Sequence, residues 1–211
     1  MVAHGDVAAS DRDLVTGAET VIAADGGALA LERWGIVPHL VVGDLDSLGQ
    51  ERAEALGRRG AKVIPYPVAK DESDLELALR YAVETGAPDI VLLGIFGGER
   101  IDHGLANAML LADPTYRGLG LRAVRGDTQV RAVHGGDRAD LRGPVGATVT
   151  LLPTRGDAKA IRTVGLRYPL DGETLHFGRS RGLSNVVTAL PASVSLEHGV
   201  LLVIEGAVGG G

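Results

Sequence analysis

The first 125 or so residues alternate short apolar runs with stretches of helical period, and the remainder does not. The runs are Val21-Ile22-Ala23, Leu40-Val41-Val42, Ala61-Lys62-Val63-Ile64, Ile90-Val91-Leu92-Leu93 and Leu121-Arg122-Ala123-Val124. Helices are expected between them near 27–34, 49–58, 73–85 and 102–112. Strand–helix alternation produces a parallel sheet covered on both faces, so this half reads as a doubly wound, Rossmann-like α/β domain. The best-marked helix opens at Ser73, which has capping-box spacing to Glu76. Leu75, Ala78, Leu79 and Ala82 then form one apolar stripe, and Gly86 and Pro88 end it. Asp74 takes the first helical position, where the helix dipole favours negative charge. Met1–His4 reads as a short additional strand.

Beyond residue 127 the helical period disappears. Short β-rich runs follow at Gln129–His134, Ala147–Leu152, Ala160–Val164, Thr174–Phe177, Val194–Leu196 and Val200–Ile204, with Gly and Pro between them. Such spacing suggests an antiparallel β-sandwich. The boundary is expected at Gly126-Asp127, giving domains 1–126 and 127–211.

Most of the apolar runs in the first half end in Gly and Asp, as a buried strand does when it enters a loop. Asp25, Asp44, Asp46, Asp71, Asp74 and Asp102 follow in order. In an open parallel sheet the ligand lies outside the carboxyl ends of the strands, so these six carboxylates are expected to meet. Together they repel unless a cation sits among them. Mg²⁺ prefers oxygen ligands and usually arrives with substrate phosphates. A magnesium–nucleotide site is the first inference. Taken singly, an Asp after a strand is equally a turn residue or helix N-cap.

Arg100, after Gly97-Gly98-Glu99, suits bidentate contact with phosphate; its bland alternative is a surface salt bridge. Lys70 reads either as a point charge on phosphate or as a solvated lysine. The loop Phe177–Asn185 is polar, basic and flanked by Gly. Ser184 and Asn185 there suit a neutral heteroaromatic ring, or else form an ordinary hairpin turn. There is no Gly-x-x-x-x-Gly-Lys-Ser/Thr, which excludes a P-loop enzyme. The net charge of −6 argues against nucleic acid as the main partner, while leaving room for a local basic patch. With no cysteine there is neither a disulfide nor a thiolate zinc site. No run approaches the roughly 20 apolar residues that span a bilayer, and the N-terminus lacks a signal-like core. The expected location is the cytoplasm.

Five segments together resemble the thiamine pyrophosphokinase (thiamin diphosphokinase) family. They are Ala24-Asp25-Gly26-Gly27-Ala28, Gly43-Asp44-Leu45-Asp46-Ser47, Lys70-Asp71-Glu72-Ser73-Asp74, Gly97–His103 and Arg181-Gly182-Leu183-Ser184-Asn185. The resemblance implies an α/β nucleotide domain followed by a β-sandwich. It also implies a homodimer with thiamin held between the two domain types, and transfer of pyrophosphate from ATP to the thiamin hydroxyl with Mg²⁺. By the same resemblance Asp44, Asp46, Asp71, Asp74 and Asp102 hold the metal and the ATP phosphates. Asp25, Gly26, Gly27, Ser47 and Lys70 line the ATP cleft, Arg100 faces phosphate, and Arg181, Ser184 and Asn185 meet thiamin. Two departures stand out: Glu99 is inserted between Gly98 and Arg100, and Val186 replaces an acidic residue after Ser-Asn. Two competing readings keep the scaffold: a diphosphokinase for a pterin or other heterocyclic alcohol, and a nucleotide or thiamin sensor without catalysis.

Overall fold

The computed structural model describes residues 1–208. It is an α/β chain containing a parallel sheet and antiparallel sheets. It divides into two units, Met1–Leu110 with Ala123–Gly126, and Leu111–Arg122 with Asp127 onward.

The first unit opens with helix α1 (Asp11–Thr16), followed by β1 (Ile22–Ala24), α2 (Gly27–Arg33), β2 (Leu40–Gly43), α3 (Gln50–Arg58), β3 (Lys62–Pro65), α4 (Asp74–Glu84), β4 (Asp89–Leu93) and α5 (Ile101–Leu111). The strands β1, β2 and β3 pair in parallel, Ile22 opposite Leu40 and Leu40 opposite Lys62. Every residue of β1 and β2 is buried, as an apolar run without alternation requires. The expected strand at Met1–His4 is reduced to Val2, which bridges Ala23 and Leu93 in parallel. Helix α4 packs on β1 and β2, α2 on β1 and α3 on β3.

Each expected helix of this half is present, and one was not foreseen. Helix α1 has only Asp11 and Val15 buried, too little for a visible apolar period. Its anchor is polar: Asp11, 1% exposed, accepts hydrogen bonds from the backbone of Ala8 and of Gly126, both at 2.8 Å. Helix α5 lies where expected but buries only Leu111, leaving Ile101, Leu105 and Met109 on an exposed stripe.

The second unit is built from β6 (Thr128–His134), β7 (Arg138–Asp140), β8 (Ala147–Pro153), β9 (Ala158–Val164), β10 (Asp171–Leu175), β11 (Asn185–Val186), β12 (Ser193–Ser195) and β13 (Val200–Val208). Strand β5 (Gly120–Arg125) has residues in both units. One antiparallel set runs β10-β9-β12-β7, and another runs β11-β8-β13-β6. Strand β8 alternates buried and part-exposed residues along its whole length. Leu151, Leu201 and Val203 from one set share a core with Ile161, Leu175 and Val194 from the other. The run expected at Thr174–Phe177 forms earlier, at Asp171–Leu175, and the short strands β7 and β11 were not expected. In β7 only Ala139 is buried, between two charged neighbours, so three residues carry no legible pattern.

The capping box at α4 is complete. Ser73 Oγ accepts from the Glu76 backbone at 3.2 Å, and Glu76 accepts from the Ser73 backbone at 2.9 Å. This fixes the first turn of α4 and with it Asp74. Ser73→Ala is expected to lower stability by about 1 kcal/mol, read as a lower urea midpoint; an unchanged midpoint contradicts this role for the cap.

Candidate active site

Because β1 and β2 run parallel, their carboxyl ends lie at the same edge of the sheet, and Asp25 and Asp44 follow directly from them. Asp74, the first residue of α4, joins them. Ligand atoms of Asp25, Asp44 and Asp74 all lie within 4.8 Å of one another.

Three features permit this crowding. Asp25 takes a left-handed backbone (φ +40°) and is 4% exposed. Its two carboxylate oxygens accept the backbone N–H groups of Ser47 at 3.1 Å and Leu48 at 3.3 Å. The buried charge therefore ties down the far end of the loop that carries Asp44. The second feature is Gly43 (φ +152°), where a Cβ would lie 2.7 Å from the Asp25 Cβ and 3.1 Å from the Asp74 carboxyl carbon. The third is Lys70, whose Nζ stands 3.3 Å from Asp44 Oδ2 and 3.0 Å from Asp74 Oδ1. The contact with Asp74 lacks hydrogen-bond geometry, and Asp74 Oδ1 is a buried atom with no hydrogen-bond partner.

The electrostatics follow from this packing. Burial pushes the Asp74 carboxyl above its ordinary pKa, and Asp44 and Asp25 push it further, against the pull of Lys70. At Asp44 burial acts upward too, but the Asp46 backbone N–H and Lys70 outweigh it, and the pKa is lowered. Burial acts to lower the Lys70 ammonium, yet Asp74 and Asp44 raise it overall. Three carboxylates with one lysine between them, and one buried Asp74 oxygen that has only the Lys70 ammonium beside it, form an oxygen-rich site. Its donor set fits a hard divalent cation such as Mg²⁺.

The other sequence candidates are placed differently. Asp46 accepts the Ser47 hydroxyl at 3.0 Å, outside the cluster, and the Ser47 backbone belongs to Asp25. Asp71 is exposed and also outside it. Asp102 pairs with Arg100, Nη2 to Oδ2 at 2.6 Å and Nε to Oδ1 at 2.9 Å, with both side chains more than half exposed. Those hydrogen bonds hold the Asp102 carboxyl far below the usual carboxylate range. Gly26 and Gly27 are buried. At Gly27 the need for glycine is one of packing, since a Cβ would overlap the Val2 carbonyl.

In the second unit, Asn185 is 7% exposed and its side chain is committed to backbone. Its Oδ1 accepts from Tyr168 at 3.0 Å and Val186 at 2.9 Å, and its Nδ2 donates to the Tyr168 carbonyl at 2.7 Å. Ser184, exposed and left-handed (φ +56°), is held by its backbone N–H to Thr150 Oγ1 at 3.1 Å. Arg181 pairs with Glu173 at 2.7 Å.

Residues 12–121 match the family model described as thiamin pyrophosphokinase, catalytic domain, and residues 138–201 match thiamin pyrophosphokinase, vitamin B1 binding domain. Thiamine pyrophosphokinase of Bacillus subtilis is 27% identical over 185 residues, covering 87% of this chain and 86% of that one. The crystal structure of the Bacillus subtilis protein superposes with a TM-score of 0.84 at 26% identity, over 98% of this chain and 97% of that one. Thiamin pyrophosphokinase from Candida albicans shares the fold, with a TM-score of 0.80 at 16% identity over 97% of this chain and 88% of that one.

The loop-tying part played by Asp25 is open to direct test. Asp25→Ala leaves two loop N–H groups without acceptors and should cost about 1–3 kcal/mol. Amide exchange at Ser47 and Leu48 should accelerate while that of α5 stays as it was. Unchanged protection at both amides would show that the carboxylate does not hold the loop.

Proposed function

The chain belongs to the thiamin pyrophosphokinase family and acts as a thiamine diphosphokinase, and we propose the following division of labour among its residues. The enzyme transfers the pyrophosphate of ATP to the hydroxyl of thiamin, giving thiamin diphosphate and AMP. The observation that carries the assignment of the site is the convergence of Asp25, Asp44 and Asp74 at one sheet edge.

Asp44 and Asp74 would hold Mg²⁺, with the buried charge of Asp25 behind them. When bound, the ion would neutralise charge on the ATP phosphates. Lys70, which already lies against two of these carboxylates, would present its ammonium to phosphate as a point charge. Asp46, Asp71 and Asp102, with Ser47 and the Gly26-Gly27 turn, are assigned to the ATP side of the site. Arg100 would exchange its Asp102 partner for phosphate oxygen. The thiamin oxygen attacks the β-phosphorus, and positioning supplies most of the acceleration. Asp71 and Asp102, both exposed, are the proposed acceptors for the hydroxyl proton, Asp102 only once Arg100 has turned to phosphate.

Arg181 and Ser184 are assigned to thiamin, and Asn185 to positioning them, since its side chain is spent on the Tyr168 backbone. The match of residues 138–201 supports thiamin over another heterocyclic alcohol as acceptor. We read the architecture as a doubly wound nucleotide domain, 1–126, followed by a thiamin-binding β-sandwich, 127–211. A homodimer is proposed as well. It is supported by the α5 stripe of Ile101, Leu105 and Met109, exposed by 77%, 61% and 52%, on a helix whose spacing otherwise marks a packed face. Among the described residues no helix is long and apolar enough to cross a membrane, which is compatible with the proposed cytoplasmic location.

Incubation of the purified protein with ATP, Mg²⁺ and thiamin should yield AMP and thiamin diphosphate in equal amounts, with no AMP when thiamin is left out. Asp44→Asn should reduce turnover by about 10²-fold or more, the scale of a lost electrostatic stabiliser. AMP release that ignores thiamin would sink the acceptor assignment, and near-normal turnover in the variant would remove Asp44 from the site.

A further inference from the structure

The second unit contains a groove apart from the residues assigned to this reaction. Its volume is about 580 Å³, and it is lined by the amino end of β5, the carboxyl end of β6, and β7 with the residues around it. That size lies within the roughly 300–1,000 Å³ of small-ligand pockets. Five arginines line it, Arg117, Arg122, Arg131, Arg138 and Arg142, against only two aspartates, Asp137 and Asp140. None of the residues assigned to ATP, metal or thiamin takes part. On a chain of net charge −6 this is a local reversal of sign.

The internal partners of Arg117, Arg131, Arg138 and Arg142 leave donors over. Arg117 spends one nitrogen, Nη2, on both the Gly135 carbonyl at 3.0 Å and the Asp137 carboxylate at 2.7 Å. Arg138 approaches Asp140 only at 3.6 Å. Arg131 is largely buried (17% exposed); its Nη2 reaches the Asp140 carbonyl and Glu205, but its Nε is buried with no hydrogen-bond partner. Glu205, itself 3% exposed, takes the backbone N–H groups of Arg142 and Gly143, so Arg142 is anchored by its main chain rather than by its guanidinium. An unsatisfied buried donor is costly and marks a place where an acceptor belongs.

The positive field of the groove reaches His134. Burial and then Arg117, with Arg155 beyond, hold its imidazole below the ordinary pKa against the opposing pull of Asp137 and Asp113. Planar guanidinium forks match phosphate oxygens in spacing and charge. Beneath them Leu111, Leu121 and Val133 supply an apolar floor. We propose that this arginine-lined groove is a second small-molecule site, which takes a phosphate-bearing anion separately from the catalytic carboxylates.

The test is calorimetric titration of inorganic phosphate into the full chain with EDTA present. Without a divalent cation the Asp25–Asp44–Asp74 cluster repels anions, and phosphate held by Lys70 or Arg100 is untouched by substitutions in the groove, so the difference between wild type and variant reports on the groove. Wild-type protein should bind saturably. Arg138→Gln with Arg142→Gln should weaken binding by about tenfold or more, the scale of one lost charge-assisted hydrogen bond. Both side chains are exposed, so the variant should keep its thermal midpoint and its thiamin-dependent AMP formation. The single variants serve as a second reading, each expected to fall between wild type and the double. Absence of saturable binding in the wild type, or equal affinity in wild type and double variant, overturns the proposal. Neither result depends on whether thiamin is the acceptor.

Discussion

Mutual repulsion among Asp25, Asp44 and Asp74 is the constraint around which the first unit is organised. Placing three carboxylates within 4.8 Å of one another costs free energy that water screens poorly at a partly buried edge. The chain meets that cost in distinct ways at each position. Asp25 is stabilised by two backbone N–H donors, Asp44 by a backbone donor and Lys70, and Asp74 by its place at the head of α4. Burial above all, and behind it the charges of Asp44 and Asp25, keep the Asp74 carboxyl above its ordinary pKa against the pull of Lys70. In the proposed function a divalent cation would offset the remaining repulsion.

Several remote features serve this edge. Parallel pairing of β1 with β2 brings Asp25 and Asp44 to the same side, and glycine at position 43 lets Asp25 and Asp74 approach. The capping box sets the first turn of α4, whose buried face of Leu75, Leu77, Ala78, Leu79 and Ala82 then fixes the helix on β1 and β2. Local sequence preference, packing and the position of Asp74 are thus linked through one helix. The loop proposed to meet thiamin in the second unit uses the same kind of device. Asn185, buried and bonded to Tyr168, sets the backbone from which Ser184 and Arg181 project.

What could be read from the sequence follows from how local the cause is. The alternation of apolar runs and helical stripes is local, and it located each strand and helix of the first half to within a few residues, apart from α1. That helix is held by Asp11 through a backbone N–H 115 residues away, which leaves no pattern nearby. Asp44 and Asp74 could be picked out because each follows a marked structural boundary. The work of Asp25 on Ser47 and Leu48 could not, because those partners lie more than 20 residues on. Arg100 illustrates two readings of one residue: the structure has the salt bridge, whereas the phosphate contact is the proposal. The net charge left room for a local basic patch but could not place it, because the arginines of the groove are scattered singly from Arg117 to Arg142.

The central claim is that Asp44 and Asp74, rather than the exposed carboxylates, hold the metal. Electron paramagnetic resonance titration of Mn²⁺, in the presence of a non-hydrolysable ATP analogue, compares wild type with Asp74→Asn and Asp102→Asn most directly. Loss of a ligand should weaken Mn²⁺ by about tenfold or more in Asp74→Asn, while Asp102→Asn binds as wild type does. Wild-type affinity in Asp74→Asn together with a large loss in Asp102→Asn would contradict the account and move the metal to the Arg100–Asp102 loop.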